Sequence, residues 1–345
     1  MKNGGMNLGD LLREKGQLSD DLINDIYISD LKPNETYEIE GKVLSKRLQT
    51  TKDGKEFLLF TITDKTGRLR AIDWFNAREN SEKINIGNII RIKGKIVVFE
   101  NRLQLNLEKN YSIYILKDSE INSEKFIKTS TQNVQHLKDE LINFINNIKN
   151  IHIKELLSYI FIKDKNFEKD FSYAPAAVNV HHAYKHGLLE HTIDVAKLCN
   201  SIAENYKNIV NKDILIAGAL LHDIGKTREY KITPTGIEKT DEGELIGHIA
   251  IGINMVSEYA KKINKFPKKM LDEILHMIAS HHGELEWGSP IVPKTLEAFI
   301  LHFADNLSSK IEQVRSHIEE SNNEHWTEYH KNLGRKIKIT NMEEK

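Results

Sequence analysis

The hydrophobic pattern of this chain changes period once, and that change constrains its fold more than any other feature. Between Thr36 and Leu116, apolar and β-branched residues come in short alternating runs broken by turn signals. From about Val134 onward they recur three or four residues apart. Alternation puts side chains on both faces of a strand, whereas the longer spacing lines one face of a helix. A strand-built domain must therefore be followed by a helix-built one, and 345 residues is a length that suits two domains.

Within the first pattern, Tyr37 to Leu48, Glu56 to Asp64 and Arg68 to Phe75 read as strands. The turns between them fall at Thr51-Lys52-Asp53-Gly54-Lys55 and Asp64-Lys65-Thr66-Gly67. Ala77 to Lys83 reads as a short helix, and Ile89 to Phe99 and Arg102 to Leu107 as two more strands joined at Glu100-Asn101. Three strands, a helix and two strands is the order of a five-stranded OB-fold β-barrel, a nucleic-acid-binding fold expected over residues 31–118. From Leu31 to Asp118 there are 17 Lys or Arg against 12 Asp or Glu, in a chain whose overall net charge is −1. That balance argues against indiscriminate coating of duplexes and leaves room for a basic groove on the first domain. Single strands bind where aromatic rings interleave with cations, and the candidate contacts are Lys55, Phe57, Arg68, Arg70, Trp74 and Arg102. Trp74 and Phe75 are expected on opposite faces of one strand, so at most one of them can stack on a base.

Residues 1–30 read as an N-terminal helical extension with Leu8, Leu11, Leu12, Leu18, Leu22 and Ile23 among acids and amides. Residues 119–135 are polar and read as a linker, 136–335 as an all-α helical bundle without strand signals, and 336–345 as a tail. No apolar run approaches the roughly 18 to 20 residues that cross a bilayer, and no secretory signal is read at the N-terminus. The one cysteine, Cys199, excludes an internal disulfide and a cysteine-built zinc site. A cytoplasmic protein is expected.

The helical half carries a metal-ligand pattern. Leu188, His191, Val195, Leu198 and Ile202 share one stripe, so His191 faces the core. The apolar run Asp213 to Leu221 ends in His222-Asp223, with Gly225 expected as its stop. His248 begins a helix, His281-His282 end one, and Asp305 lies among Ala298, Phe299, Leu301 and Phe303. A buried carboxylate without a cation is costly. Imidazoles and carboxylates without thiolate suit Mn²⁺, Fe²⁺, Co²⁺, Ni²⁺ or Zn²⁺ better than Mg²⁺ or Ca²⁺. One ion would take His191, His222, Asp223 and Asp305. A second would share Asp223 and use His248 with His281 or His282. Two such ions activate water and neutralise a phosphoryl group under attack. Lys226, just beyond the helix end, reads either as a solvated lysine or as a phosphate contact. His276 and His302 read as core residues or supports of the ligands.

The spacing His191, His222-Asp223, Asp305 resembles that of the HD-domain phosphohydrolases, and the additional histidines resemble their dinuclear branch. Ala174-Pro175-Ala176-Ala177, His181-His182-Ala183-Tyr184, Gly187-Leu188-Leu189-Glu190-His191-Thr192 and His325-Trp326-Thr327-Glu328-Tyr329 narrow this further. With the preceding OB-like domain, they resemble the YhaM-type 3′-to-5′ exoribonucleases over roughly Ile28 to Arg335. Lys185-His186 departs from the pattern, because a small residue is expected before Gly187. The resemblance implies substrate contact by His181, His182, Tyr184 and Lys226. It implies catalytic roles for Asp223, Lys226 and His182, with His182 touching phosphate or protonating the leaving group. The loop at His181-His182 reads as exposed.

The expectation is thus a metal-dependent 3′-to-5′ exoribonuclease with two divalent ions, Mn²⁺ first among them. It would cut single-stranded RNA, and single-stranded DNA as well since nothing in the sequence reads the 2′-hydroxyl. No membrane is expected among its partners, and homo-oligomers are open to it. The alternatives are an HD phosphohydrolase of small nucleotides and a non-catalytic nucleic-acid-binding protein with a structural metal.

Overall fold

The computed structural model describes residues 26–340, except 101, 179–181, 235, 320, 322 and 324. The helices expected over residues 1–25, the Asn101 half of one turn, His181 and residues 341–345 lie outside the described residues. The chain divides into two compact units. One comprises residues up to Lys128 with Thr233–Gly236; the other comprises Thr129–Ile232 and Ile237 onward.

In the first unit, β1 (Thr36–Thr50), β2 (Glu56–Thr63), β3 (Arg68–Asp73), β4 (Ile89–Phe99) and β5 (Arg102–Leu107) pair in the order β1-β2-β3-β5-β4. Because β4 also pairs with β1, the five strands form a closed ring. Closure depends on the length of β1. Its first half, Thr36 to Lys42, pairs with β4 and its second, Lys42 to Thr50, with β2. The strand bends where the halves meet, at an irregularity between Val43 and Ser45. Gly41 permits the crossing, since a Cβ there would lie 2.7 Å from Ile62. Alternation then does what the sequence implied. Leu58, Phe60, Ile62, Leu69, Ala71 and Leu105 fill the interior, while the residues between them point outward. Helix α1 (Ala77–Lys83) lies between β3 and β4 in the chain, and β6 (Tyr114–Ile115), which the pattern did not signal, adds to β4.

The polar segment expected to begin the linker is partly taken up by this ring. Lys125 is fully buried with its ammonium 3.8 Å from Glu40, whose other oxygen meets Arg91 at 3.0 Å. Ile127 is buried as well. A buried lysine looks like linker composition in a sequence, because hydropathy does not report its partner. At the other end of the chain, residues 336–340 are not a free tail. Lys338 bridges to Trp326, and the Ile339 amide donates to the His325 carbonyl at 2.8 Å.

The second unit packs α2 (Val134–Asn147), α3 (Ile151–Ser158), α4 (Lys165–Tyr173), α5 (Gly187–Asn205) and α6 (Lys212–Leu221) with α7 (Lys226–Glu229) and α8 (Asp241–Leu245). The helices α9 (His248–Lys261), α10 (Lys268–Ser280) and α11 (Leu296–Glu319) complete it. Helix starts follow side-chain caps: Asn133, Asn150, Asp164, Asn211 and Thr240 each accept an amide of their own first turn. This part of the chain is not purely helical, because β7 (Tyr230–Thr233) and β8 (Gly236–Lys239) form a hairpin whose tip, Thr233–Gly236, belongs to the first unit. Four-residue strands are too short for periodicity to reveal. Among the described residues, no helix is long and apolar enough to cross a membrane.

Asp164 caps α4 through the Phe167 amide at 3.0 Å and accepts the Tyr259 hydroxyl at 2.9 Å, tying α4 to α9. The Phe167 amide bond holds its carboxyl below the usual range, against the opposing effect of burial. Such a carboxylate adds stability above its ordinary titration range, and that stability is lost as pH falls through the depressed value. Asp164→Ala is therefore expected to cost about 1–2 kcal/mol at pH 7, read by urea denaturation. The gap should narrow as pH falls through that depressed value; a gap that does not change with pH would contradict the assignment.

Candidate functional site

Five helices deliver the expected ligands to one place. His191 lies in the second turn of α5, His222-Asp223 directly follow α6, His248 opens α9, His281 ends α10, and Asp305 lies within α11. Gly225 makes the junction possible in a way the sequence did not suggest. It is not a left-handed helix stop, since its φ is −66° and the chain runs on into α7. Its role is close approach: a Cβ at Gly225 would lie 2.0 Å from the His248 carbonyl oxygen.

The ligand atoms fall into two triads. Those of His191, His222 and Asp305 lie within 4.8 Å of one another, as do those of His248, His281 and His282. Asp223 sits between them, almost fully buried. Its Oδ2 is 3.5 Å from His191 Nε2 and 3.2 Å from His222 Nε2, while its Oδ1 is 3.7 Å from His248 Nε2 and 3.5 Å from His281 Nε2. One carboxylate oxygen thus faces each triad.

The imidazoles are oriented for ligation. His222 Nδ1 lies 2.9 Å from the Ala219 carbonyl, His281 Nδ1 2.8 Å from that of Ile278, and His282 Nδ1 3.1 Å from that of Trp287. His248 Nδ1 meets the Glu229 carboxylate at 2.8 Å, and His191 Nδ1 lies 3.4 Å from the Ser308 hydroxyl. With Nδ1 committed to a carbonyl or carboxylate acceptor, Nε2 carries the lone pair. Asp223 Oδ1, His248 Nε2 and His281 Nε2 are buried without a hydrogen-bond partner, the arrangement a cation would satisfy. Residues and donor chemistry therefore fit divalent metal ions.

The electrostatics keep both carboxylates ionised. Burial opposes the ionised form of Asp223, but Lys226 and His222 outweigh it and hold the carboxyl well below its ordinary value. Asp305 is likewise held down, chiefly by His191, against burial. Burial would keep His191 neutral, yet Asp223 and Asp305 raise it to about 9. Burial and then neighbouring His281 push His282 down to about 4, and burial also lowers His281, so both remain neutral near pH 7.

Other expected residues fall in different settings. Lys226 is not a solvated surface lysine; it is nearly buried with its ammonium 2.7 Å from Asp223 Oδ2. His182 is buried rather than exposed. Its ring centroid is 5.3 Å from that of His191 and its Nε2 3.9 Å from Asp194. Tyr184 donates to Glu190 at 2.9 Å, and Gln132 donates to the other oxygen of Glu190 at 3.0 Å. His186 has φ +68°, which explains why a small residue is expected before Gly187. His302 supports the ligand-bearing turn through His281 O at 2.9 Å, while His276 accepts the Lys294 amide. Sequence reading missed Glu229 and Ser308. Both face inward from otherwise polar stretches, and no spacing rule flags a lone carboxylate or hydroxyl that orients a histidine.

On the ring, register places the expected contacts on one face. Arg70 pairs with Thr61 on β2 and Gln104 on β5, so Phe57, Arg68, Arg70 and Arg102 all point outward from β2, β3 and β5. The expectation for Trp74 and Phe75 is corrected, because β3 ends at Asp73. The Asp73 carboxylate accepts the Phe75 and Asn76 amides and turns the chain. Trp74 stacks on Phe57 with centroids 4.7 Å apart, and Lys55 lies over both Trp74 and Phe75 at 5.7 and 5.9 Å. Phe60 is core, and Arg91 serves Glu40.

Residues 188–310 match the HD domain family, and residues 37–115 match the OB-fold nucleic acid binding domain family. Fold and site define an HD-type hydrolase that carries an OB-fold module. The chain is 30% identical to the 3′-5′ exoribonuclease YhaM of Listeria monocytogenes over 285 residues, 83% of this chain and 88% of the relative. It is also 30% identical to the 3′-5′ exoribonuclease YhaM of Bacillus subtilis over 267 residues, 77% of this chain and 82% of the relative. A domain of replication protein A from Methanococcus maripaludis resembles 27% of the chain, and 94% of that domain is covered, with 19% identity and a TM-score of 0.23. The chain belongs to the YhaM 3′-5′ exoribonuclease family.

Glu229→Gln should leave the fold intact and weaken metal binding about 10- to 100-fold, since the amide no longer fixes the His248 tautomer. Titration calorimetry with Mn²⁺ reads this directly; an unchanged affinity would show that Glu229 does not orient the ligand.

Proposed function

We propose that this chain hydrolyses single-stranded RNA from its 3′ end, releasing nucleoside 5′-monophosphates. The observation that carries the reading is the placement of Asp223, one oxygen towards each histidine-containing triad, in a chain that also bears an OB-fold module. Divalent ions would be held there by His191, His222 and Asp305 and by His248, His281 and His282, with Asp223 facing both groups, and would supply Lewis acidity for water activation and phosphoryl charge. Mn²⁺ is the first candidate, because imidazole and carboxylate without thiolate favour a borderline ion.

The chain's own residues do the rest. Water attacks the terminal phosphorus, the bond from phosphorus to the penultimate 3′-oxygen breaks, and that oxygen takes up a proton. His182, beside His191 and facing Asp194, is the group proposed to deliver it. Lys226 keeps a positive charge beside Asp223, where phosphoryl oxygens arrive. Tyr184, held by Glu190, shapes the neighbouring edge, and His181 is proposed as a further phosphate contact.

Trp74, Phe57 and Lys55 form a stacking platform, and Arg68, Arg70 and Arg102 supply backbone charge on the same outward face. Stacking reads no 2′-hydroxyl, so single-stranded DNA is proposed as a second substrate. A cytoplasmic location fits a chain with a single, buried cysteine.

Incubating 5′-labelled RNA with protein and Mn²⁺ should yield a ladder shortening from the 3′ end. Asp223→Asn should abolish it, and Trp74→Ala should weaken RNA binding by about 1–3 kcal/mol while the chemistry persists. Cleavage that persists in Asp223→Asn, or an intact label with every divalent ion tried, would refute the proposal.

A further inference from the structure

Helix α11 is apolar on the wrong side. Its inner face carries Ala298, Leu301, Ala304 and Ser308 into the core and Asp305 towards the metal centre. Its outer face, where charge is the rule, carries Leu296, Phe299, Phe303, Leu307, Ile311 and Val314. Phe299, Phe303, Leu307 and Ile311 are each at least half exposed, so no described residue of the helical unit covers them. Trp287, 58% exposed, extends the patch through contact of its ring with His302, which in turn packs on Phe303. A contiguous apolar ridge of five helical turns is an interaction surface rather than ordinary surface scatter.

The spacing identifies the occupant. Successive intervals along the ridge are three, four, four, four and three residues, a sequence that reads the same in both directions about residue 305. A second copy laid antiparallel across a two-fold axis there places Leu296 on Val314, Phe299 on Ile311 and Phe303 on Leu307. Each of these six positions meets another of the six, as an isologous interface requires. The exposed Lys310 decides between the two directions. A parallel copy would set Lys310 against Lys310, whereas the antiparallel copy sets it against Ile300, along which its stem can lie with the ammonium at the rim.

We propose that the protein is a homodimer built on antiparallel α11 helices, with the two-fold axis passing beside Asp305. The interface then braces, from outside, the helix that presents Asp305 to the metal centre on its inner face.

Sedimentation velocity of the full chain should give a species of twice the chain mass, and Phe303→Glu with Leu307→Glu should convert it to monomer with an unchanged far-UV spectrum. A monomeric wild type across micromolar concentrations would overturn the proposal, as would a double variant that remains dimeric. Direction is tested separately with folded, conservative variants, since native Cys199 is buried. Mixing Phe303→Cys chains with Leu307→Cys chains should form a disulfide-linked dimer several-fold faster than either alone; equal rates would exclude the antiparallel register.

Discussion

The structure of the helical unit depends on one buried anion. Asp223 is almost inaccessible to water, and its ionised form survives there because Lys226 and His222 outweigh the cost of burial. Lys226 and the imidazoles of four helices converge on its two oxygens. The approach of α9 to the turn that carries Asp223 requires Gly225, and the orientation of the rings requires the carbonyls at the ends of α6 and α10. Helix ends with unsatisfied carbonyls are therefore put to use: each fixes an imidazole tautomer and so directs Nε2 at the carboxylate.

The two units divide the work along lines of rigidity and access. A closed strand ring offers an outward face on which register lines up Phe57, Arg68, Arg70 and Arg102, and the turns carrying Lys55 and Trp74 complete it. The helical unit offers the opposite, a dry point where charge is concentrated. Helix α11 belongs to both inside and outside, with Asp305 on one face and a symmetric apolar ridge on the other.

Much of this was legible in the chain because it rests on periodicity and on residue types that have few alternative reasons to be buried. Six of the seven ring-unit strands and helices, β1 to β5 and α1, follow from alternation and turn residues, and His191, His222, Asp223, His248, His281 and Asp305 meet as their helical registers require. What stayed hidden was held by partners rather than pattern. Lys125 looks like linker because its partner Glu40 lies 85 residues away, and Glu229 carries no sequence signal because its partner His248 opens a different helix. The end of β3 was misplaced because Asp73, not the hydrophobic run, terminates it by capping two amides. The short β7–β8 hairpin left too few residues for any period to register.

Asp223 is proposed to join two ion positions. Anomalous diffraction at the manganese edge, on crystals of Mn²⁺-loaded protein, tests it directly. Two peaks are predicted, one among His191, His222 and Asp305 and one among His248, His281 and His282, each bonded to a different oxygen of Asp223. A single peak in an active enzyme, or two peaks that leave Asp223 uncoordinated, would contradict the account.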